Sequence, residues 1–407
     1  MMSGGLVIVG GGMAAVRLVQ QLAVHKYSQS VTVISAEPHF GYNRVLLPSL
    51  VAGTCRAADL LPSDESLTGL NLQILNGCKV THIDAHLRRL TLSSSAQVSF
   101  DQLVLAPGSS VPVPEIPGAN LPGVTQLRSI ADAKDILDRC TGSTVAVVVG
   151  GGFLGLETAD ALNLLGLNVH LIHRADRLMN RNVDLTAGEQ LQIAVERQGT
   201  QVHLNTTVTS IIGHRNVEQV SLADGTVIDT SLVLFTTGAQ PRVELAKQAG
   251  LILNRGIVVN PQLCSSDPNI YAIGECASLD GIIHQLVEPI HAQADTLASL
   301  LCGVHKTLQI PDLNASLKTS HTQLYSAGHI PSHTTEDDWI VIDNESDVYR
   351  RLVIEKDILK GAVFLGDISG ARNVTSALNT PLSSTQIEQL LFGREPEQSI
   401  NSAAEAA

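Results

Sequence analysis

The chain opens with a short, wholly apolar run, Leu6-Val-Ile-Val9, which leads into the glycine turn Gly10-Gly-Gly-Met-Ala-Ala15. Apolar residues then recur at helical spacing through Val16, Val19 and Leu22, and a second apolar run, Val31-Thr-Val-Ile34, follows. Strand, glycine turn, helix and strand in that order are the signature of a βαβ unit. The pattern returns with Thr144-Val-Ala-Val-Val-Val149, Gly150-Gly-Gly-Phe-Leu-Gly155, a helix through Leu156, Ala159, Leu162 and Leu165, and the strand Asn168-Val-His-Leu-Ile172. The two turns start about 140 residues apart, too far for a solenoid repeat and right for two tandem nucleotide-binding folds. A Pro/Gly-rich passage, Pro107 to Gly123, reads as the crossover between them. The apolar run Ser231-Leu-Val-Leu-Phe235 ends at Thr236-Thr-Gly-Ala-Gln-Pro241, where the chain is expected to return. Near the C-terminus, Trp339–Asp343, Tyr349–Glu355 and Leu359–Leu365 read as strands between polar turns. These predict a small α+β domain.

With 407 residues, the chain exceeds one ordinary core. Its 44% apolar and 16% charged content exclude broad disorder. A net charge of -13 offers no broad basic surface, so neither nucleic acid nor an anionic membrane is expected as a partner. No apolar run is of membrane-spanning length, and the first strand begins too early to leave room for a signal peptide. Six scattered cysteines, none in a CxxC spacing, predict a reducing, cytoplasmic setting and no metal site.

The first fingerprint is Gly10-x-Gly12-x-x-Ala15. In such a turn the first glycine permits the sharp bend, the second lets the backbone approach a pyrophosphate, and the small third residue keeps helix and sheet close. The helix N-terminus then holds phosphate charge with its N–H groups. Glu37, after the second strand, is placed to accept from a ribose. The second fingerprint is Gly150-x-Gly152-x-x-Gly155, followed by Glu157. Here His173-Arg174 stands where a ribose-binding acid is usual. Arg174, helped by Arg177, would pair with the 2′-phosphate of NADPH; equally, the arginines would only solvate a loop.

Far downstream, Ser265-Ser-Asp-Pro-Asn-Ile-Tyr-Ala-Ile-Gly-Glu275 places a strand before a Gly-acid pair. With Ala106-Pro-Gly-Ser109 and Thr237-Gly-Ala-Gln-Pro241, the chain resembles the FAD/NAD(P)H reductases of the pyridine nucleotide-disulfide oxidoreductase superfamily. Tyr42-Asn-Arg-Val-Leu-Leu47, Gly274-Glu-Cys-Ala277, Val287-Glu-Pro289, Tyr349-Arg-Arg-Leu-Val and Gly361-Ala-Val-Phe-Leu-Gly-Asp367 are most similar to one branch. That branch is the N-terminal flavoprotein region of NAD(P)H-dependent nitrite and nitrate reductases, with rubredoxin reductases as near relatives.

The resemblance implies an α/β protein with two Rossmann-like dinucleotide-binding domains, for FAD and for NAD(P)H, plus the small α+β C-terminal domain. The expected segments are 1–120 and 244–310 for FAD, 121–243 for NAD(P)H, 311–393 for the C-terminal domain and 394–407 for a polar tail. The implied FAD contacts are Gly10, Gly12, Met13, Ala14, Ala15, Glu37, Arg44, Val80 beside the adenine, Ala106, Arg128, Gly274 and Glu275. Those for NADH or NADPH are Gly150, Gly152, Phe153, Leu154, Gly155, Glu157 (toward the carboxamide), His173, Arg174 and Gly238. A helix starting near Pro289 would aim its positive end at the flavin, with His291 either in contact or merely exposed.

Gly41 to Gly53 lacks the cysteine pair that disulfide reductases use, so no side-chain nucleophile is expected. Glu275 replaces the usual Asp, and Pro107 the usual Thr. The implied activity is electron transfer from NAD(P)H through flavin to a separate redox protein. That partner would be a nitrate or nitrite reductase component, or rubredoxin or ferredoxin; a stand-alone NAD(P)H oxidase or diaphorase is the other possibility. The chain ends before the cluster and sirohaem domains of nitrite reductases, so it is not expected to reduce nitrite itself. The C-terminal domain is the expected dock, or the surface of a homodimer.

Overall fold

A computed structural model describes residues 4–311 and 314–392 of the chain. By contacts the chain divides into two compact units, one formed by residues 1–172 and 206–311, the other by 173–205 and 312–407. The polar tail expected at 394–407 lies outside the described residues.

In the first unit the strand Leu6–Val9 lies at the centre of a five-stranded sheet. In spatial order the strands are Ile270–Ala272, Gln102–Leu105, Leu6–Val9, Val31–Ile34 and Leu72–Leu75, all parallel. Leu6, Val7, Ile8 and Val9 are all buried. This is why the run is continuously apolar and not alternating: a parallel strand is covered on both faces. The helix Met13–Val24 covers one face through Ala15, Leu18, Val19 and Leu22, the i, i+3, i+4, i+7 stripe of an amphipathic helix.

A second parallel sheet in the same unit orders Asn168–Ile172, Val145–Val149, Leu232–Phe235 and Val124–Gln126. Its helix, Phe153–Leu164, starts directly after the second glycine turn. The crossover segments meet: Ser109–Ser110 pairs antiparallel with Gln240–Pro241. The chain's passage out of the first fold and its return are thereby tied at one place.

The second unit contains a five-stranded antiparallel sheet, in the order Asn314–Lys318, Gln323–Gly328, Ile358–Leu365, Val348–Glu355 and Trp339–Asp343. The three strands expected there are present, and two more precede them. One face buries Leu352, Leu359 and Phe364 against Val374 and Leu390 of the helices Ala371–Ala377 and Ser384–Phe392. The expected α/β class with a small α+β portion is the architecture the chain adopts.

Candidate functional site

Both glycine turns have the same division of labour. Gly10 has a φ of 117°, and a Cβ there would lie 2.0 Å from the carbonyl oxygen of Ala106. Gly150 has a φ of 126°, and its Cβ would lie 2.7 Å from the Thr236 carbonyl. A Cβ on Gly155 would fall 1.7 Å from the Gly150 carbonyl. These glycines are demanded by the fold itself.

The middle glycines are different. A Cβ on Gly152 would meet nothing within 4 Å, and one on Gly12 only the Arg44 guanidinium, at 3.8 Å. Both are helix N-caps with no side-chain cap, so the first-turn N–H groups receive no partner from the capping residue. A concavity where only a side chain is missing, beside uncapped N–H donors, fits a pyrophosphate at both turns. Met13, Ala14 and Ala15 form the first turn of one helix, and Phe153, Leu154 and Gly155 that of the other.

Four of the acidic and basic candidates, far apart in sequence, form one hydrogen-bonded chain in the first unit. Glu37 Oε1 receives Arg44 Nη2 at 2.6 Å, and Glu37 Oε2 receives the Tyr42 hydroxyl. Arg44 also donates to the backbone carbonyl of Arg128 and stands 4.6 Å from the Tyr42 ring centroid. Arg128 Nη2 in turn donates to Glu275 Oε2 at 2.6 Å and to Ser109 Oγ at 2.6 Å, while Ser109 Oγ donates to the same carboxylate oxygen at 2.6 Å. Burial, more than the neighbouring Glu37, raises the Tyr42 phenol well above its ordinary pKa, so it stays a donor. Each carboxylate oxygen has two lone pairs, so Glu37 and Glu275 keep acceptor capacity while their orientations are held.

The downstream acid is seated by its neighbours. A Cβ on Gly274 would lie 3.1 Å from the Ala14 Cβ, so the Gly274–Glu275 turn rests on the first helix's opening turn. The helix expected near Pro289 runs from Val287 to Leu301, and its fully buried Gln293 accepts from the Gly274 N–H at 2.7 Å. The Nε2 of Gln293 has no partner among the described residues, a buried donor adjoining this turn. Half-burial, with Arg17 nearby, keeps the His291 pKa below its ordinary value, so that side chain is neutral at pH 7. Val80 is buried at the start of the strand Val80–Asp84. Ala106 is buried against Gly10, and Gly238 is open-faced with a φ of 103°.

Sequence reasoning missed Ser109, Tyr42 and Gln293 as parts of this arrangement. It also overstated Arg177. That residue is buried, and its guanidinium is committed to Asp176 at 2.9 Å, the Val183 carbonyl at 3.2 Å, the Asn180 carbonyl at 3.2 Å and Ser332 Oγ at 2.8 Å. Those bonds hold the 176–183 turn and leave its guanidinium less available to a phosphate. Arg174 is exposed, and His173 contacts Asn180 at 3.3 Å with its pKa lowered by burial. Glu157 lies within the Phe153–Leu164 helix.

All six cysteines are free thiols. Cys276 adjoins Glu275 yet is fully buried, donating to the Ile273 carbonyl at 3.2 Å, and burial pushes its thiol up to about 12. At pH 8 its thiolate fraction is then on the order of 10⁻⁴. Cys276 is therefore expected to resist Ellman's reagent in the folded protein and to react on denaturation. Peptide mapping that finds it modified in the native protein would contradict this.

Among the described residues no helix is long and apolar enough to cross a membrane, and no cluster of metal-binding side chains occurs. A family model described as pyridine nucleotide-disulphide oxidoreductase matches residues 5–295. One described as the rubredoxin NAD+ reductase C-terminal domain matches residues 314–381. The nitrite reductase [NAD(P)H] of Bacillus subtilis is 34% identical over 99% of this chain and 50% of its own length. The assimilatory nitrate reductase electron transfer subunit of the same organism is 32% identical over 92% of this chain and 49% of its own. The chain thus spans about half the length of these curated relatives. A solved ferredoxin reductase for the CYP199A2 system of Rhodopseudomonas palustris superposes with a TM-score of 0.83 at 25% identity, covering 92% of this chain and 95% of that one.

Proposed function

The chain belongs to the pyridine nucleotide-disulphide oxidoreductase family, and from that premise we propose that it is an FAD-dependent NAD(P)H oxidoreductase serving a separate electron-accepting protein. The observation that carries this reading is the pair of glycine turns whose middle glycines face open space, the first with the Gly274–Glu275 turn set against its helix start. Residues 1–120 and 244–310 hold FAD in this reading, 121–243 hold the nicotinamide nucleotide, and 311–393 form the C-terminal domain. Bound flavin supplies the conversion between a two-electron donor and one-electron acceptors.

The chain's own residues supply position and charge. Gly12 and Gly152 admit the two pyrophosphates to the helix N-termini. Glu37, held by Arg44 and Tyr42, presents its carboxylate to the ribose. Glu275, fixed by Arg128 and Ser109, accepts from the ribityl hydroxyls. No disulfide or thiolate is required, which agrees with the absence of cysteine between Gly41 and Gly53 and with the buried, protonated Cys276.

The acceptor is proposed to be a component of nitrate or nitrite reduction, in keeping with the two Bacillus relatives. A rubredoxin-type acceptor is the second reading, favoured by the match of residues 314–381. A cytoplasmic location accords with both. The test is anaerobic titration of the purified yellow protein with NADH or NADPH, followed by addition of candidate acceptors. Bleaching that is reversed rapidly by one acceptor protein supports the reading. A colourless protein that does not retain added FAD, or fast NAD(P)H consumption in air without any acceptor, would replace it with a non-catalytic module or an oxidase.

Arg174 bears on which nucleotide is used. Exposed two residues beyond the Asn168–Ile172 strand, it is free of the commitments that bind Arg177. Arg174→Glu is expected to lower the NADPH-to-NADH ratio of kcat/KM by about tenfold or more, because a carboxylate repels a 2′-phosphate. An unchanged ratio would make Arg174 a surface charge only.

A further inference from the structure

The outermost strand of the second unit's sheet, Trp339–Asp343, has no strand on its far side among the described residues. Natural proteins blunt such an edge with polar or charged side chains, because its free backbone groups template pairing. Four of the five residues of this strand are apolar. Trp339 is 44% exposed, Ile340 38% and Ile342 49%, and Trp339 is the chain's single tryptophan. Three exposed large apolar side chains along an unpaired edge are what a strand-pairing surface presents.

The flanks carry a second, independent signal. From Thr334 to Asp347 there are six acidic residues and no lysine or arginine, against a net charge of -13 for the whole chain. One of the six, Asp338, is buried on Arg351, and Asp347 meets Arg197 at 2.6 Å. Glu336, Asp337, Asp343 and Glu345 stand exposed around the apolar strand.

Charge decides between the possible occupants. A second copy pairing antiparallel about Val341 would place Asp337 opposite Glu345 at both ends, setting like charges against each other. A strand with cationic flanks meets the same edge with complementary potential. We propose that the Trp339–Asp343 edge is a docking site for a basic partner protein that adds an apolar strand flanked by lysine or arginine. This inference is independent of the reaction proposed above, and either can fail alone.

Trp339 is a built-in reporter. The full-length protein would be titrated with a synthetic Lys-Lys-Thr-Val-Thr-Ile-Thr-Lys-Lys peptide and with its counterpart carrying glutamate for each lysine. The lysine peptide is expected to shift Trp339 emission to shorter wavelength saturably and to slow amide exchange in residues 339–343. Its affinity should fall at least about tenfold between about 0.05 and about 0.5 M salt. Ile342→Lys, or the pair Asp337→Lys with Glu345→Lys, keeps the tryptophan and should weaken binding by a similar factor. Circular dichroism on these surface variants establishes that the fold is retained. An equal response to both peptides, no response to either, or a dimer at low salt that protects the same strand would each overturn the proposal.

Discussion

Arg351→Ala is expected to destabilise the second unit by about 3–5 kcal/mol, the cost of stranding buried charge. Arg351 is fully buried. Its Nη2 reaches Asp338 Oδ2 at 2.6 Å, and its Nη1 lies 3.3 Å from Asp184 Oδ2. The same guanidinium donates to the carbonyls of Pro331 at 2.9 Å and His333 at 2.8 Å. Asp184 is itself buried, receives the Tyr349 hydroxyl at 3.1 Å and caps the helix Leu185–Arg197 by accepting from Ala187 N–H at 3.1 Å. Removing the cation leaves two enclosed carboxylates without their counter-charge and the carbonyls of Pro331 and His333 without this donor, and unties the 331–338 segment from the sheet.

The exposed pair Arg197–Asp347, at 60% and 61% side-chain exposure, is the control. Arg197→Ala should change stability by less than about 1 kcal/mol, since solvent and salt screen such a pair. Trp339 lies in the same unit, so urea unfolding followed by its emission reads this unit directly. A loss below about 1 kcal/mol for Arg351→Ala would mean that water or rearrangement satisfies the two aspartates.

That network illustrates where a single sequence stops being legible. The strands 6–9, 31–34 and 168–172 are read residue for residue: the first is an uninterrupted apolar run because both its faces are buried, and the other two keep buried apolar residues at Val31, Val33 and Ile34 and at Val169, Leu171 and Ile172. The glycines themselves are legible by motif, but not their different reasons. Only geometry separates Gly10 and Gly155, which face backbone oxygens, from Gly12 and Gly152, which face open space. Arg351 reads as one charge in a strand, and nothing local says that its partners are 13 and 167 residues earlier in the chain. Ser109 is quoted within a crossover motif, yet its bond to Glu275 spans 166 residues. Two strands, Asn314–Lys318 and Gln323–Gly328, escaped because Asn, Ser, Lys, Gln and Gly interrupt their apolar positions. Arg177 failed in the opposite sense: its neighbours in sequence suggest an exposed basic loop, while the fold buries it.

The difference between the glycines makes the sharpest test of the first nucleotide fold. Gly12→Val should yield a folded protein that has lost FAD, with affinity weakened at least about a hundredfold, or about 2.7 kcal/mol. The backbone at Gly12 has a φ of -89°, ordinary for any residue, and a Cβ there meets its first neighbour, Arg44 Nε, at an unstrained 3.8 Å. The new side chain therefore costs the fold little and fills the space in front of the helix N-terminus where a pyrophosphate would lie. Gly10→Val is the contrasting case: with a φ of 117° and a Cβ 2.0 Å from the Ala106 carbonyl oxygen, it should fail to fold. The measurement is flavin absorbance per protein chain, taken alongside circular dichroism and the thermal unfolding transition it follows. A Gly12→Val protein that folds and purifies yellow would remove FAD from this turn. One that is colourless but otherwise indistinguishable from the parent places the loss at the cradle itself, since the same substitution has left strand, helix and core untouched.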